Sequence, residues 1–329
     1  MVSPESDWEG VRLHVVTGKG GTGKTTVAAA LALALAGEGR RTLLVEVENR
    51  QGIAQLFDAP PLPYEERKVA VGPAGGDVHA LAVDPEEALL EYLDMFYRLG
   101  RAGRALRKIG AIDFATTIAP GMRDVLLTGK VYEAVRRTSR GRPVYDAVVL
   151  DAPPTGRIIR FLEVNAEVAG LARVGPIRGH ADSIMALLRS PQTAVHLVSL
   201  LEEMPVQETV DALVGLVGAR LPVGGIVVNA VRAPLLRQAD LTAAARGGLD
   251  REAVAAGIAA AGVGVRPAAV DALIAEVAEH AERVALEKSE RRTLKALGRP
   301  TYELPLLAEG VDLGGLYRLA EQLCRQGMA

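Results

Sequence analysis

The sequence predicts an α/β fold: a mostly parallel, doubly wound sheet with helices on both faces and helical insertions along the chain. Three observations carry that expectation. Short apolar segments that read as strands alternate with longer segments of helical period along most of the chain. A glycine-rich stretch, Thr17-Gly18-Lys19-Gly20-Gly21-Thr22-Gly23-Lys24-Thr25-Thr26, joins an apolar run at 11–16 to an alanine- and leucine-rich run at 27–36. A strongly apolar run at 144–150 ends on Asp151, where the crevice of a parallel sheet would lie.

The glycine-rich stretch has the context of a phosphate-binding loop: strand, loop, helix. Glycines let backbone N–H groups close on phosphate oxygens, and the helix N-terminus adds the positive end of its dipole. Lys24 would place a charge among the outer phosphates, and the Thr25 hydroxyl suits Mg²⁺. The same residues also spell Gly18-x-Gly20-x-x-Gly23, the dinucleotide fingerprint, with Glu46 or Glu48 placed as a ribose-binding acid. A dinucleotide has no need of the lysine and hydroxyl that follow, so the nucleoside triphosphate reading fits the whole stretch better.

In chain order, residues 42–47 read as a second strand whose polar end brings Glu46 and Glu48 toward the crevice, on one face by alternation. A carboxylate there could hold the attacking water or a magnesium-bound water; the other reading is a solvated loop acid. Residues 58–77, rich in Pro and Gly, read as an irregular connection, and 78–83 as a short strand. Asp84-Pro85-Glu86-Glu87 has the form of a helix start. The helix that follows carries an apolar stripe with Tyr92, Phe96 and Tyr97, and then Arg98, Arg101, Arg104 and Arg107 at three-residue spacing. Phe114 follows, and a further helix is expected from Ile118-Ala119-Pro120-Gly121 onward. After Asp151 come Ala152-Pro153-Pro154-Thr155-Gly156, a stiff exit with a permissive glycine, suited to sensing the γ-phosphate. Helices broken at Gly175-Pro176, a strand at 194–200, a helix at 205–217 and a strand at 224–228 ending at Asn229 come next. Residues 233–267 read as short helices, 271–297 as a long polar-faced helix, 301–305 as the last strand and 311–326 as the closing helix.

Composition narrows the class. The chain has 329 residues, 49% of them hydrophobic and only 4% aromatic, so aliphatic and alanine packing must fill the core. A net charge of −2 gives no electrostatic case for nucleic acid. A single cysteine, Cys324, excludes an internal disulfide and a structural zinc site of the Cys-x-x-Cys kind. The polar, acidic first ten residues do not have the form of a signal peptide, and the apolar runs are short for a bilayer, which points to a cytoplasmic protein. One domain over 1–329 is expected, with helical insertions at about 85–140, 157–190 and 231–298.

Three motifs in order carry a family resemblance: Gly18 to Thr26, Asp151-Ala-Pro-Pro-Thr155-Gly156-Arg-Ile-Ile-Arg160, and Val228-Asn229 followed by Leu304-Pro-Leu-Leu307. Together they resemble the arsenite-pump and guided-entry ATPases, a dimeric branch of the deviant Walker A P-loop proteins, over nearly the whole chain. The resemblance implies that Gly18, Gly20, Gly21, Thr22, Gly23, Lys24, Thr25 and Thr26 bind the phosphates of ATP or ADP. Thr25 and Asp151 would serve Mg²⁺, Asp151 through water. Lys19 would reach the nucleotide of a partner subunit, and Lys19, Lys24, Glu48 and Asp151 would form the catalytic set. Glu46 and Glu48 would belong to the first switch; Pro154, Thr155 and Gly156 would form the second. Asn229 would contact adenine, with the backbone near Leu306 and Leu307 closing the base pocket. Glu48 stands where the family places an aspartate, and no zinc clamp or metalloid-binding cysteines are present.

The function so implied is a dimeric ATPase, homodimeric or paired with a paralogous chain, that couples nucleotide state to a hydrophobic protein client or a membrane-associated partner. The client groove is expected between the helices of 86–137 and 160–188. The alternatives are a nucleotide-gated switch with little hydrolysis and, with less support, a septum-positioning or partitioning ATPase or an arsenite-pump subunit. No nucleic-acid partner is expected.

Overall fold

The computed structural model describes residues 6–37, 39–48, 50–73, 75–97, 121–171 and 176–329. The predicted arginine series from Arg98 to Arg107, Phe114, the expected helix start at 118–120, Asn49 and Gly175 lie outside these residues, as do the side chains of Tyr92, Phe96 and Tyr97.

The elements follow in the order β1 (Leu13–Gly18), α1 (Lys24–Leu35), β2 (Arg41–Glu46), α2 (Gly52–Leu56), β3 (Arg67–Val71), β4 (Asp77–Ala82), α3 (Pro85–Tyr97) and α4 (Met122–Arg136). A two-residue hairpin, β5 (Thr138–Ser139) and β6 (Arg142–Pro143), precedes β7 (Ala147–Asp151), α5 (Thr155–Leu171) and α6 (Pro176–Leu188). Then come β8 (Thr193–Ser199), α7 (Glu203–Gly218), β9 (Val223–Val231), α8 (Gln238–Ala245), α9 (Arg251–Ala260), α10 (Pro267–Ala296), β10 (Thr301–Pro305) and α11 (Leu313–Arg325).

Eight strands form one sheet in the order β10-β9-β8-β1-β7-β2-β4-β3, with only β3 antiparallel. The strands that carry the chemistry are central and parallel: β1 pairs with β7 and β8, and β2 with β7. Strand ends therefore gather along one rim, the crevice side of a doubly wound sheet. One face is covered by α1, α2 and α11, through Leu31, Leu33, Ile53, Leu316 and Leu319 against Val16, Leu44 and Val149. The other is covered by α3 to α7, through Leu89, Leu127, Phe161, Ile184 and Val206 against Val15, Val45 and Leu150. With few aromatics, α1 is buried nearly all round, and its alanines let it lie close between the sheet and α11. Helix α8 packs on α10 in a small separate cluster around Leu241, Ala244 and Ala281.

Four expectations change. Residues 58–77 are not wholly irregular: Arg67–Val71 pairs antiparallel with β4 as an edge strand. Its valines favour the pleat and its exposed Arg67 and Lys68 guard the edge, while the flanking Pro and Gly hide it in the sequence. The strand expected from 144 begins only at Ala147, and ahead of it the chain turns through a hairpin at Arg140-Gly141, both with positive φ. Strand β2 ends at Glu46, one residue short of the expected 47, so Glu48 lies two residues past it. Strand β9 runs past Asn229 to Val231. The expected helix start at Asp84 is as predicted: its Oδ1 accepts the N–H of Glu86 at 2.9 Å and of Glu87 at 3.0 Å. Among the described residues no helix is long and apolar enough to cross a membrane.

Candidate functional site

The glycine loop joins the end of β1 to the start of α1. A side chain at Gly18 would collide with the Val198 carbonyl of β8, so the loop leaves the sheet pressed against its neighbour. Gly23 is the N-cap of α1 with φ +83°, and a Cβ there would strike the Asn229 amide. Loop carbonyls are tied back by the loop's own surroundings. Thr22 Oγ1 donates to the Lys19 carbonyl at 2.8 Å, and Asn229 Nδ2 donates to the Thr22 carbonyl at 2.9 Å. No side chain caps α1, which leaves its first N–H groups for an anion. The Lys24 side chain is buried at the helix start, its Nζ 3.5 Å from the Lys19 carbonyl. Burial lowers the Lys24 pKa, opposed by the charges of Asp151 and Glu48.

Asp151 ends β7 directly beside the loop. Its Oδ2 accepts the Thr25 hydroxyl at 2.6 Å, joining the two halves of the site. Burial pushes the Asp151 carboxyl up to about 6; the Thr25 bond and Lys24 hold it down, while Glu46 and Glu48 add to the rise. Glu46 is in register with Asp151 on the adjacent strand. Both follow the parity of Leu44 and Val149, so both lie on the α1 face of the sheet. The Glu46 carboxylate is buried, not a solvated loop acid. Its Oε2 accepts the Ile53 N–H at 3.3 Å, and its Oε1 has no hydrogen-bond partner among the described residues.

These donors fit Mg²⁺. The Thr25 hydroxyl and Asp151, bonded to each other, and the unpartnered oxygen of Glu46 on the adjacent strand are hard oxygen donors of the kind Mg²⁺ takes. Among the described residues no three His, Cys, Asp or Glu side chains gather as a self-sufficient metal nest. The ion would therefore depend on phosphate oxygens and water for the rest of its shell, as Mg²⁺ commonly does.

The loop after Asp151 is held by Thr17, whose hydroxyl donates to the Pro153 carbonyl at 2.7 Å. Thr155 opens α5 and donates to Glu208 Oε2 on α7 at 2.8 Å. Glu208 Oε1 receives Lys19 Nζ at 2.7 Å. The Lys19 bond, aided by Thr155, holds the Glu208 carboxyl below its usual range. Glu48 lies 3.5 Å from the Arg50 guanidinium, in a polar cleft of about 120 Å³ with Arg123, Asp124, Pro153 and Arg157. There Arg123 reaches the Val47 carbonyl at 3.4 Å, and Arg157 pairs with Asp124 at 3.5 Å.

The fold thus brings Lys19, Lys24, Thr25, Glu46 and Asp151 to one rim, with Thr155 tied to it through Glu208. Asn229 lies under the loop with its amide N–H on Thr22. Leu306 is half-exposed just past β10, its N–H donating to the Val231 carbonyl at 2.8 Å. Glu208, Arg123 and Arg157 were not singled out in the sequence. Glu208 becomes conspicuous only once β8, and with it α7, is known to flank β1.

A parallel sheet whose first strand turns through a glycine loop into a helix opening on Lys-Thr, bonded to an acid at the next strand's end, defines a P-loop nucleoside triphosphatase. The family profile of the anion-transporting ATPases (ArsA type) matches residues 11–188. The chain belongs to that family. It is 56% identical to the ATPase BagA of Mycobacterium tuberculosis, over 97% of this chain and 94% of that one. The arsenical pump-driving ATPases of Acidiphilium multivorum and Escherichia coli are 27% and 26% identical over 73% of this chain, which spans only 42% of their length. The family settles the choice left open by the glycine pattern in favour of the triphosphate loop over the dinucleotide fingerprint.

Proposed function

We propose that this chain binds ATP with Mg²⁺ in the crevice above β1 and β7 and hydrolyses it to ADP and phosphate while paired with a second subunit. The observation that carries the reading is the 2.6 Å bond from Thr25 to Asp151; it supports a shared role for this hydroxyl and this acid in holding the ion. Loop N–H groups and the start of α1 bind phosphates, and Lys24 holds the outer ones. Thr25 and Asp151 would hold the ion, with Glu46 beside them; bound there, Mg²⁺ supplies neutralisation of the charge on the phosphate oxygens. Glu48, on the first switch, orients the attacking water, and Asn229 with Leu306 and Leu307 borders the adenine. Lys19 reaches the phosphates of the partner's nucleotide. Nucleotide state is passed through Thr155 and α5 to an apolar protein client or a membrane-associated partner.

The cross-subunit role of Lys19 has a direct test. Lys19→Ala and Lys24→Ala chains, each inactive alone, should regain turnover when mixed, because one site in the mixed pair then has both lysines. No recovery in demonstrably mixed pairs would overturn it. A second reading, a nucleotide-gated switch with slow hydrolysis, is favoured by Glu48, longer than aspartate and adjacent to Arg50. Single-turnover hydrolysis by the purified chain separates the two.

A further inference from the structure

Lys19 and Thr155 belong to different elements of the site, one on the phosphate loop and the other at the start of α5. One carboxylate holds both. Glu208 Oε1 is 2.7 Å from Lys19 Nζ, and Oε2 is 2.8 Å from Thr155 Oγ1. Glu208 projects from α7, an element that otherwise contributes core contacts such as Val206, Ala212 and Leu216. Each oxygen thus has its own partner, and the Lys19 ammonium is directed to its own chain.

Two uses of Lys19 compete. The bond to Glu208 holds the Lys19 ammonium against α7, and reaching a phosphate on a second chain would draw it away from that carboxylate. The Thr155 hydroxyl is fixed by the same group, so a movement of the Glu208 side chain that releases Lys19 also moves the acceptor of Thr155. The pair is also of a strength that nucleotide can overcome. Its side chains are 30% and 33% exposed, which places it among partly screened ion pairs rather than buried ones.

We infer that Glu208 is a positioning residue, a two-point clasp that keeps Lys19 withdrawn and the Thr155 switch in its resting position until nucleotide-driven pairing with a second chain opens both contacts together. The inference rests on the cross-subunit reading of Lys19. It adds that pairing is opposed by an internal contact, and that this contact links the loop to the switch.

Sedimentation velocity of wild type, Glu208→Gln and Glu208→Ala across a series of Mg²⁺ and non-hydrolysable ATP analogue concentrations tests it. Glu208→Gln keeps the shape and loses the charge. It should pair at analogue concentrations about 2- to 5-fold lower than wild type, the range of a partly exposed ion pair, and Glu208→Ala at least as readily. An unchanged midpoint, or weaker pairing, would overturn the clasp. Amide exchange of the unliganded chain gives a second readout that does not need pairing. Glu208→Ala should speed exchange at residues 19–22 and 155–158 together, and unchanged protection of either segment counts against the clasp. If exchange rises in both segments but no protein pairs at saturating analogue, the clasp stands and the pairing reading fails.

Discussion

Gly23 carries two constraints at once, a left-handed backbone and the Asn229 amide pressed against the place a Cβ would occupy. Gly23→Ala should therefore lose ATP binding and lower stability by about 1–3 kcal/mol, read by nucleotide titration and by urea unfolding. Asn229→Ala in the same chain relieves the collision but not the φ, so recovery should be partial. Thr25 allows a finer comparison. Thr25→Ser keeps the donor to Asp151 and should keep the Mg²⁺ dependence of nucleotide binding; Thr25→Ala should weaken that dependence about 10-fold or more. If alanine and serine behave alike in a Mg²⁺ titration, the Thr25–Asp151 bond is incidental. Lys24, Thr25 and Asp151 could be found in the sequence because each occupies a fixed offset in a local motif. Glu208 could not, because its role depends on β8 lying beside β1 and thus on a contact between residues far apart in the chain.

At the scale of elements, parallel strands announce themselves by near-continuous apolar runs, which is why β1, β2 and β8 are legible within about two residues and β7 within about three. Strand β3 was not: its five residues stand among Pro and Gly, and its partner β4 alone makes it a strand. The polar packing behind it is equally silent in sequence. Glu66 forms an ion pair with Arg137 and accepts the hydroxyl of buried Tyr145 at 2.7 Å, tying the β3 approach to α4 and β7. Glu66→Ala leaves that hydroxyl and the guanidinium without their shared acceptor and should cost about 1–3 kcal/mol in urea unfolding, with Glu66→Gln costing less. Equal stability would mean that water replaces the carboxylate. Alternation, likewise, predicts that Glu46 and Glu48 share a face, but only the packing of α1 and α2 over the end of β2 decides that Glu46 is buried.

Across the whole molecule, chain ends and sheet centre are joined. Asp7 N–H donates to the Gly327 carbonyl, and the Tyr302 hydroxyl donates to Asp7 at 2.6 Å while accepting Trp8 Nε1 at 3.0 Å. Trp8 in turn meets His196 edge-on, and His196 stacks on His14 across β1 and β8. The Gly225 N–H donates to His196 Nδ1, so the proton of neutral His196 is on Nε2 and points at His14 Nδ1, 3.1 Å away. Burial holds His14 down to about 4 and His196 well below its usual value. The unfolded chain takes up these protons first, so stability should be full above about pH 6.5 and fall as pH drops toward 4. His14 alone accounts for on the order of 3 kcal/mol of that loss. A urea midpoint unchanged between pH 7 and pH 5 would refute this. The account as a whole turns on the crevice at the end of β1 being an ATP-hydrolysing site. Phosphate release by the purified chain in Mg²⁺ and ATP, compared with Lys24→Ala, tests that most directly. We predict turnover in the wild type that falls about 100-fold or more in the variant; equal rates in the two would contradict it.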